Sequence, residues 1–185
     1  MDNNINFIAA GELENEDGNI SYNFDLTDID FTMRAGFRIH EDYEDRKGHK
    51  GMPTFSMDNL LQLSKESLQS GFQLAVHAIG DRTNSEVLDR FETSFREISK
   101  TDHRFRVEHA QHLTHADIPR FSQLGIIASM QPIHLSSDRP WAIDRLGIDR
   151  IEEGAYVWQK LLQSGAIIIN GTDCPVEPLS PLNNF

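Results

Sequence analysis

Phe72-Gln73-Leu74-Ala75-Val76-His77-Ala78-Ile79-Gly80-Asp81 is the stretch on which the fold turns. An apolar run too short for a helix ends in one imidazole, and a glycine then bends the chain. The construction recurs three times. Phe105-Arg106-Val107-Glu108 ends at His109. Ile126-Ile127-Ala128-Ser129-Met130 leads through Gln131-Pro132-Ile133 to His134. Ala166-Ile167-Ile168-Ile169-Asn170 runs into Gly171-Thr172-Asp173. Short apolar runs separated by helical patterns read as buried parallel strands. In α/β folds, ligands gather at the carboxyl ends of such strands.

The segments between these runs read as helices. Ser56 suits an N-cap for a helix over 57–69, with Leu60, Leu61 and Leu68 facing inward and Gly71 ending it. Val87, Leu88, Phe91, Phe95 and Ile98 fall on one face of a second helix. Thr114 caps a short third helix that runs to Leu124, before Gly125. A last helix over 151–163 carries Ala155, Trp158, Leu161 and Leu162. Three junctions rhyme: Gln69-Ser70-Gly71, Gln123-Leu124-Gly125 and Gln163-Ser164-Gly165. Each turns a helix directly into a strand. The pattern predicts an α/β fold with four parallel strands and right-handed crossovers. A TIM barrel takes about eight strands, so this is either a small open sheet or half of a barrel.

The chain has 185 residues, room for one ordinary domain, and its 38% apolar residues are clustered enough to build a core. The net charge is −12, and no Lys or Arg precedes Arg34. That argues against binding nucleic acid or an anionic membrane surface. Cys174 is the only cysteine, so no intrachain disulfide is expected, and one free thiol fits a reducing compartment. Residues 1–5 show neither a basic nor an apolar signal-peptide region, and no apolar run approaches the ~18 residues of a spanning helix. The expected location is cytoplasmic. Residues 1–53 stand apart as an acidic N-terminal segment, with a half-exposed strand over 20–26 and a charged loop over 40–49. The α/β domain is drawn over 54–185.

Two imidazoles and one carboxylate at one sheet edge are the materials of a hydrolytic metal site. Each candidate also has an ordinary role. His77 and His109 suit strand-end histidines bonded to backbone, Asp173 suits a turn before Pro175, and Asp81 suits a helix cap. His134, on the loop after the third run, divides evenly between the site and the loop. Adjacent strand residues point to opposite faces, so Glu108 and His109 are not expected to share a site. His112 and His115 would spread over about two-thirds of a helical wheel and are read as solvated. What favours a site is coincidence. All four runs deliver a candidate to the same edge, in a chain with 8 histidines.

From about Gly51 onward the chain resembles the amidohydrolase superfamily. It is most similar to the family 3 amidohydrolases of YtcJ-like and N-substituted formamide deformylase type. The resemblance rests on Leu74 to Asp81, on Arg106-Val107-Glu108-His109-Ala110-Gln111, on Ala128 to Pro132 with His134 and Asp138, and on Gly171 to Pro178, with Thr172 where the family usually has Ser. It implies a TIM barrel with a divalent metal, zinc by preference, at the strand ends. It implies His77 and His109 as metal ligands, and Asp173 as last-strand ligand and proton shuttle. His134 would contact the substrate or the metal-bound water. The implied reaction is hydrolysis of non-peptide carbon–nitrogen bonds in a small-molecule amide.

The family's first strand also carries a His-x-His metal pair. No His-x-His occurs in this sequence, and the first half of the barrel has no counterpart in it. The chain therefore reads as a second half-barrel, with no role assigned to His40 or His49. Two rival readings stay open. One is a catalytically incomplete remnant or interaction module, its sheet edge covered by a second copy or by a complementing N-terminal half-barrel chain. The other is a small open α/β binding domain in which every histidine is structural. The sequence holds no Gly-x-x-x-x-Gly-Lys loop and no distinctive carboxylate pair, which argues against phosphoryl or glycosyl transfer.

Overall fold

The computed structural model describes residues 30–184, with side chains from residue 38 onward. The elements, in chain order, are β1 (Asp30–Arg38), β2 (Gly51–Pro53), α1 (Met57–Ser70), β3 (Gln73–Ala78), α2 (Asp81–Glu97), β4 (Arg106–His109) and α3 (Ile118–Leu124). Then follow β5 (Ile127–Met130), α4 (His134–Ser137), α5 (Arg139–Leu146), α6 (Ile148–Gly154), α7 (Trp158–Gln163) and β6 (Ile168–Asn170). A 3-10 turn over Pro181–Asn184 closes the described chain.

The helix ends behave as their residues dictate. Ser56 accepts the Asn59 N–H at the start of α1. Gly71 closes α1 at φ 83, a left-handed cap that glycine adopts without penalty, and its N–H returns to Leu68 O. Gly125 does the same for α3 at φ 66. Each cap points the chain back into one sheet, ordered β2-β1-β3-β4-β5-β6.

The four strands expected from the apolar runs, β3 to β6, lie side by side in chain order and every pair is parallel. The register pairs Ala78 with His109 and Met130 with Asn170, so the strand ends meet at one edge. This is an α/β sheet forming part of a TIM (β/α)8 barrel. Among the described residues no helix is long and apolar enough to cross a membrane.

The sheet extends beyond what the apolar runs announced. β1 pairs parallel with β3, from Asp30↔Gln73 to Gly36↔Ala78, and β2 pairs antiparallel with β1. The sheet therefore begins before residue 53, where composition drew a boundary. β1 was not expected because acidic and basic residues interrupt it. Its strand character comes from pairing with β3 rather than from its own propensity. The strand expected over 20–26 lies outside the described residues.

The helix expected over 151–163 is two helices. The break falls at Tyr156, at φ 56, whose N–H bonds Gln111 O at 2.8 Å, while Ala155 bridges His112. Tertiary pairing overrides the helical period here, and Leu162 is left exposed. The chain after Pro132, read as a loop, folds into α4 and α5, with Pro140 in the first turn of α5.

The core lies between the sheet and α1, α2, α3 and α7. Leu60, Leu74, Leu88, Phe91, Phe121 and Leu161 are fully buried within it. Phe105 meets Phe91 edge-on at 4.9 Å and Phe95 at 5.3 Å. His103 stacks on Phe95 at 3.8 Å.

His103 is locked as a neutral ring. Its Nε2 bonds Leu124 O at 3.0 Å, and its Nδ1 accepts the Phe105 N–H at 3.1 Å. A carbonyl only accepts and an N–H only donates, so a second ring proton has no place. Burial pushes the His103 pKa below the ordinary value, against the pull of Leu124 O and Asp102. A depressed histidine pKa means that the unfolded chain binds the proton first. The stability it contributes is complete above about pH 6.5 and is lost as pH falls below that. Burial shifts His109 and His112 the same way. The urea midpoint should therefore drop from pH 7 to pH 5, and should drop less in His103→Gln, whose amide keeps the neutral bonding pattern. An equal drop in both proteins would refute this role.

Candidate metal centre

A regular pleat would not bring His77 and His109 together. In the register His77 pairs with Glu108, and Ala78 pairs with His109. Paired residues share a face, so Glu108 would be the neighbour of His77. The strand ends irregularly instead. His109 sits at φ 74 and Ala110 at φ 42. Non-glycine residues in this region are uncommon and gather at functional sites. The turn sets the His109 ring edge-on against His77, with centroids 4.4 Å apart. Glu108 ion-pairs with Arg106.

His134 opens α4, directly beyond the end of β5. Its ring lies 5.6 Å from that of His109 and nearly parallel to it. Its Nε2 stands 3.9 Å from Asp173 Oδ2. Asp173 follows β6 at φ 54, a third left-handed non-glycine residue at the same edge. The structure thus joins the residues singled out in the sequence into one run: His77, His109, His134, Asp173.

Burial makes this run chemically unusual. His109 and His134 are each 6% exposed, while Asp173 keeps partial contact with solvent. His109 Nδ1 and His134 Nε2 are buried without a hydrogen-bond partner. An orphaned buried nitrogen of this kind costs about 1–3 kcal/mol. Burial holds the His109 pKa below its ordinary value, opposed by the charge of Asp173 and a hydrogen bond with the Gln131 side chain. Unpaired imidazole nitrogens beside a carboxylate are the donor set of a divalent metal site. The set is partial. Among the described residues no three His, Cys, Asp or Glu side chains stand together closely enough to hold a metal ion.

The other titratable candidates have structural places. His115 is exposed, as expected. His112, expected to be solvated, is 5% exposed. It lies in an extended bridge to Ala155 rather than on a helix, and its N–H bonds Ile79 O at 3.0 Å. Gly80, not Asp81, is the cap residue of α2. Asp81 Oδ1 accepts the N–H groups of His40 and Arg82, at 3.0 and 2.7 Å.

One polar cluster went unnoticed in the sequence. Gln111 Nε2 donates to Asp138 Oδ2 at 3.2 Å and to the Tyr156 hydroxyl at 3.0 Å. Gln111 and Asp138 lie inside the motifs that carry the family resemblance, two residues after His109 and four after His134. That proximity was the available signal. Tyr156, read as mid-helix, gave none.

Comparison with known proteins identifies the family. Residues 12–185 match the sequence profile of the amidohydrolase family. The protein LONG AFTER FAR-RED 3 of Arabidopsis thaliana is 37% identical over 147 residues, covering 80% of this chain and 25% of that protein. The putative amidohydrolase YtcJ of Bacillus subtilis (strain 168) is 35% identical over 144 residues, covering 78% and 26%. This chain thus spans about a quarter of the length of these curated relatives. A crystal structure of an uncharacterized metal-dependent hydrolase from Pyrococcus furiosus superposes with a TM-score of 0.73 at 28% identity, over 83% of this chain and 32% of that one.

Proposed function

Since the chain belongs to the amidohydrolase family, we propose that it forms part of a metal-dependent hydrolase that cleaves non-peptide carbon–nitrogen bonds in small amides. The observation that carries this reading is the convergence of His77, His109, His134 and Asp173 at the carboxyl edge of the sheet. His77, His109 and Asp173 would contribute ligands to a divalent metal whose set further residues must complete, with zinc the best match to two imidazoles and a carboxylate. Such a metal, when bound, polarises a carbonyl and lowers the pKa of bound water from ~15.7 towards ~7.

The chain's own residues supply the rest. The Asp173 carboxylate takes a proton at Oδ2 from the attacking water and returns it to the leaving nitrogen. Positioned proton transfer of this kind contributes roughly 10²- to 10⁴-fold. His134, beside Asp173, orients the carbonyl. Buried apolar strand residues beneath these groups keep bulk water from the imidazoles.

The site needs completing. Catalytic zinc typically keeps about three protein ligands and one open position, and the described residues do not assemble such a set. Among the described residues β6 is an edge strand, with Ile169 40% exposed and Ile167, just before it, 60% exposed. Parallel sheets are rarely left uncovered. Further strands of the same barrel, carried by the same polypeptide or by a complementing chain, fit this edge. The partial ligand set also favours the second reading, a module of this fold that does not itself catalyse.

The test is to load the purified chain with zinc and measure metal content and turnover of simple formamides and N-acyl amides, with His109→Ala as control. Alone, the chain should bind zinc weakly and turn over slowly or not at all. A complementing half-barrel with a His-x-His strand should restore both. Turnover of the chain alone at about 1–10³ per second, abolished by His109→Ala, would refute the incompleteness argument. A complemented, zinc-loaded assembly without turnover would refute the hydrolase itself.

A further inference from the structure

We propose that Gln131 is a positioning residue of the candidate metal centre: its Oε1 accepts a proton held on His109 Nδ1, which fixes the tautomer of that ring and leaves Nε2 as the nitrogen free to bind a ligand. That this ligand is a metal rests on the hydrolase reading above. The tautomer does not.

Gln131 directly follows β5 and is tied at both its ends. Its backbone carbonyl accepts the His134 N–H at 3.1 Å. Its side-chain Nε2 donates to Ser129 O at 3.3 Å. A carbonyl only accepts, so the NH₂ faces Ser129 and Oε1 is turned the other way. There Oε1 is buried with no partner, on a residue 7% exposed.

His109 Nδ1 is the complementary atom. It too is buried without a partner. Both atoms are sealed from solvent, so each must be satisfied from within the protein. Gln131 and the His109 ring already act on each other. Burial lowers the His109 pKa, while Asp173 and the Gln131 side chain pull it upward. Only the oxygen of an amide pulls in that direction, because it favours the protonated ring and an N–H turned to the ring would favour the neutral one. Oε1 is therefore the atom turned to His109. The other orphaned imidazole nitrogen, His134 Nε2, has an acceptor of its own in Asp173 Oδ2, 3.9 Å away.

A histidine that binds through one ring nitrogen is oriented by the hydrogen bond of the other. With its Nδ1 proton given to Gln131, His109 keeps the lone pair on Nε2. The same residue holds the His134 N–H through its backbone, so Gln131 sets both rings at once. Their nearly parallel stacking fits that shared support.

The test uses the full chain stripped of metal with a chelator and carrying isotope-labelled histidine. NMR of the ring nitrogens at about pH 8, where imidazoles are neutral, reads the tautomer directly, and His109→Ala identifies the His109 signals. His109 should carry its proton on Nδ1. Gln131→Met, of similar size but without an acceptor oxygen, should move the proton to Nε2 or leave the two forms mixed. Gln131→Glu, which keeps an oxygen in place, should retain the Nδ1 form. Zinc added to the wild type should then shift the Nε2 signal and spare the Nδ1 proton. Circular dichroism checks each variant's fold, and the wild-type tautomer with Gln131→Glu carries the test if Gln131→Met does not fold. A proton on Nε2 in the wild type, an unchanged Nδ1 form in folded Gln131→Met, or loss of the Nδ1 proton on zinc binding would overturn the proposal. A wrong tautomer leaves the hydrolase reading standing, and a failure of turnover leaves the tautomer standing.

Discussion

Gly80→Ala is expected to destabilise the fold by about 3 kcal/mol, the upper end of what overpacking typically costs. An added Cβ would lie 2.1 Å from Arg38 O and 2.7 Å from Arg38 C. These are backbone atoms, and no rotamer change moves them aside. Gly80 has φ −73 and ψ 151, a conformation open to alanine. The usual gain from Gly→Ala in the unfolded chain, about 0.4–1 kcal/mol, is therefore present and works the other way. Sterics should win because relief requires β1 and α2 to part. That parting strains the bond that joins them here, Arg38 N–H to Thr83 Oγ1 at 2.8 Å, and the bonds that hold α2 to the turn after β3, Asn84 Nδ2 to the carbonyls of Gly80 and Ala78 at 3.0 and 3.1 Å. Urea unfolding of both proteins measures the effect. A Gly80→Ala variant as stable as the wild type would show that the close approach is not maintained.

The same residue shows how far the chain could be read. The turn at Gly80-Asp81 was visible because a glycine directly after an apolar run has few other uses. The four strands β3 to β6 were visible for a related reason. Short apolar runs need no alternation to read as strands, even where, as in β6, the strand is left partly exposed, and glycines at the ends of α1 and α3 punctuate the repeat. β1 was not visible, because a strand interrupted by charge is defined by its partner. The break at Tyr156 was hidden in the same way, since Gly154 must pass against Leu113 O and Gln111 O must capture the Tyr156 N–H. At the site, the edge was legible and the contact was not. Alternation alone sets Glu108 beside His77. The left-handed turn at His109 puts an imidazole there instead, and no residue type announces such a turn. His112 was misplaced because a helical wheel was laid over an extended segment.

Phe91→Ala is expected to cost about 3–5 kcal/mol, the range for emptying a fully buried aromatic site. Phe91 has no exposed surface, meets Phe105 edge-on at 4.9 Å, and stacks near Phe95 at 6.0 Å. Phe95 in turn carries His103, so the ring joins α2 to both ends of the segment that leads into β4. Two outcomes separate packing from the mere presence of an apolar residue. Phe91→Leu, which fills much of the space, should cost markedly less, near the ~1.5 kcal/mol bound for swaps that roughly conserve volume. In Phe91→Ala, hydrogen exchange should quicken in β4 more than in β6, because Phe105 directly precedes Arg106–His109 and loses its neighbour. The expectation then reaches the site. His109 is held against His77 by the last residues of β4, and a cavity beneath that strand loosens the contact without touching a donor atom. Destabilisation under 1 kcal/mol, or exchange that quickens equally across the sheet, would show that the aromatic cluster does not support β4 and that another layer of the core fixes the two imidazoles.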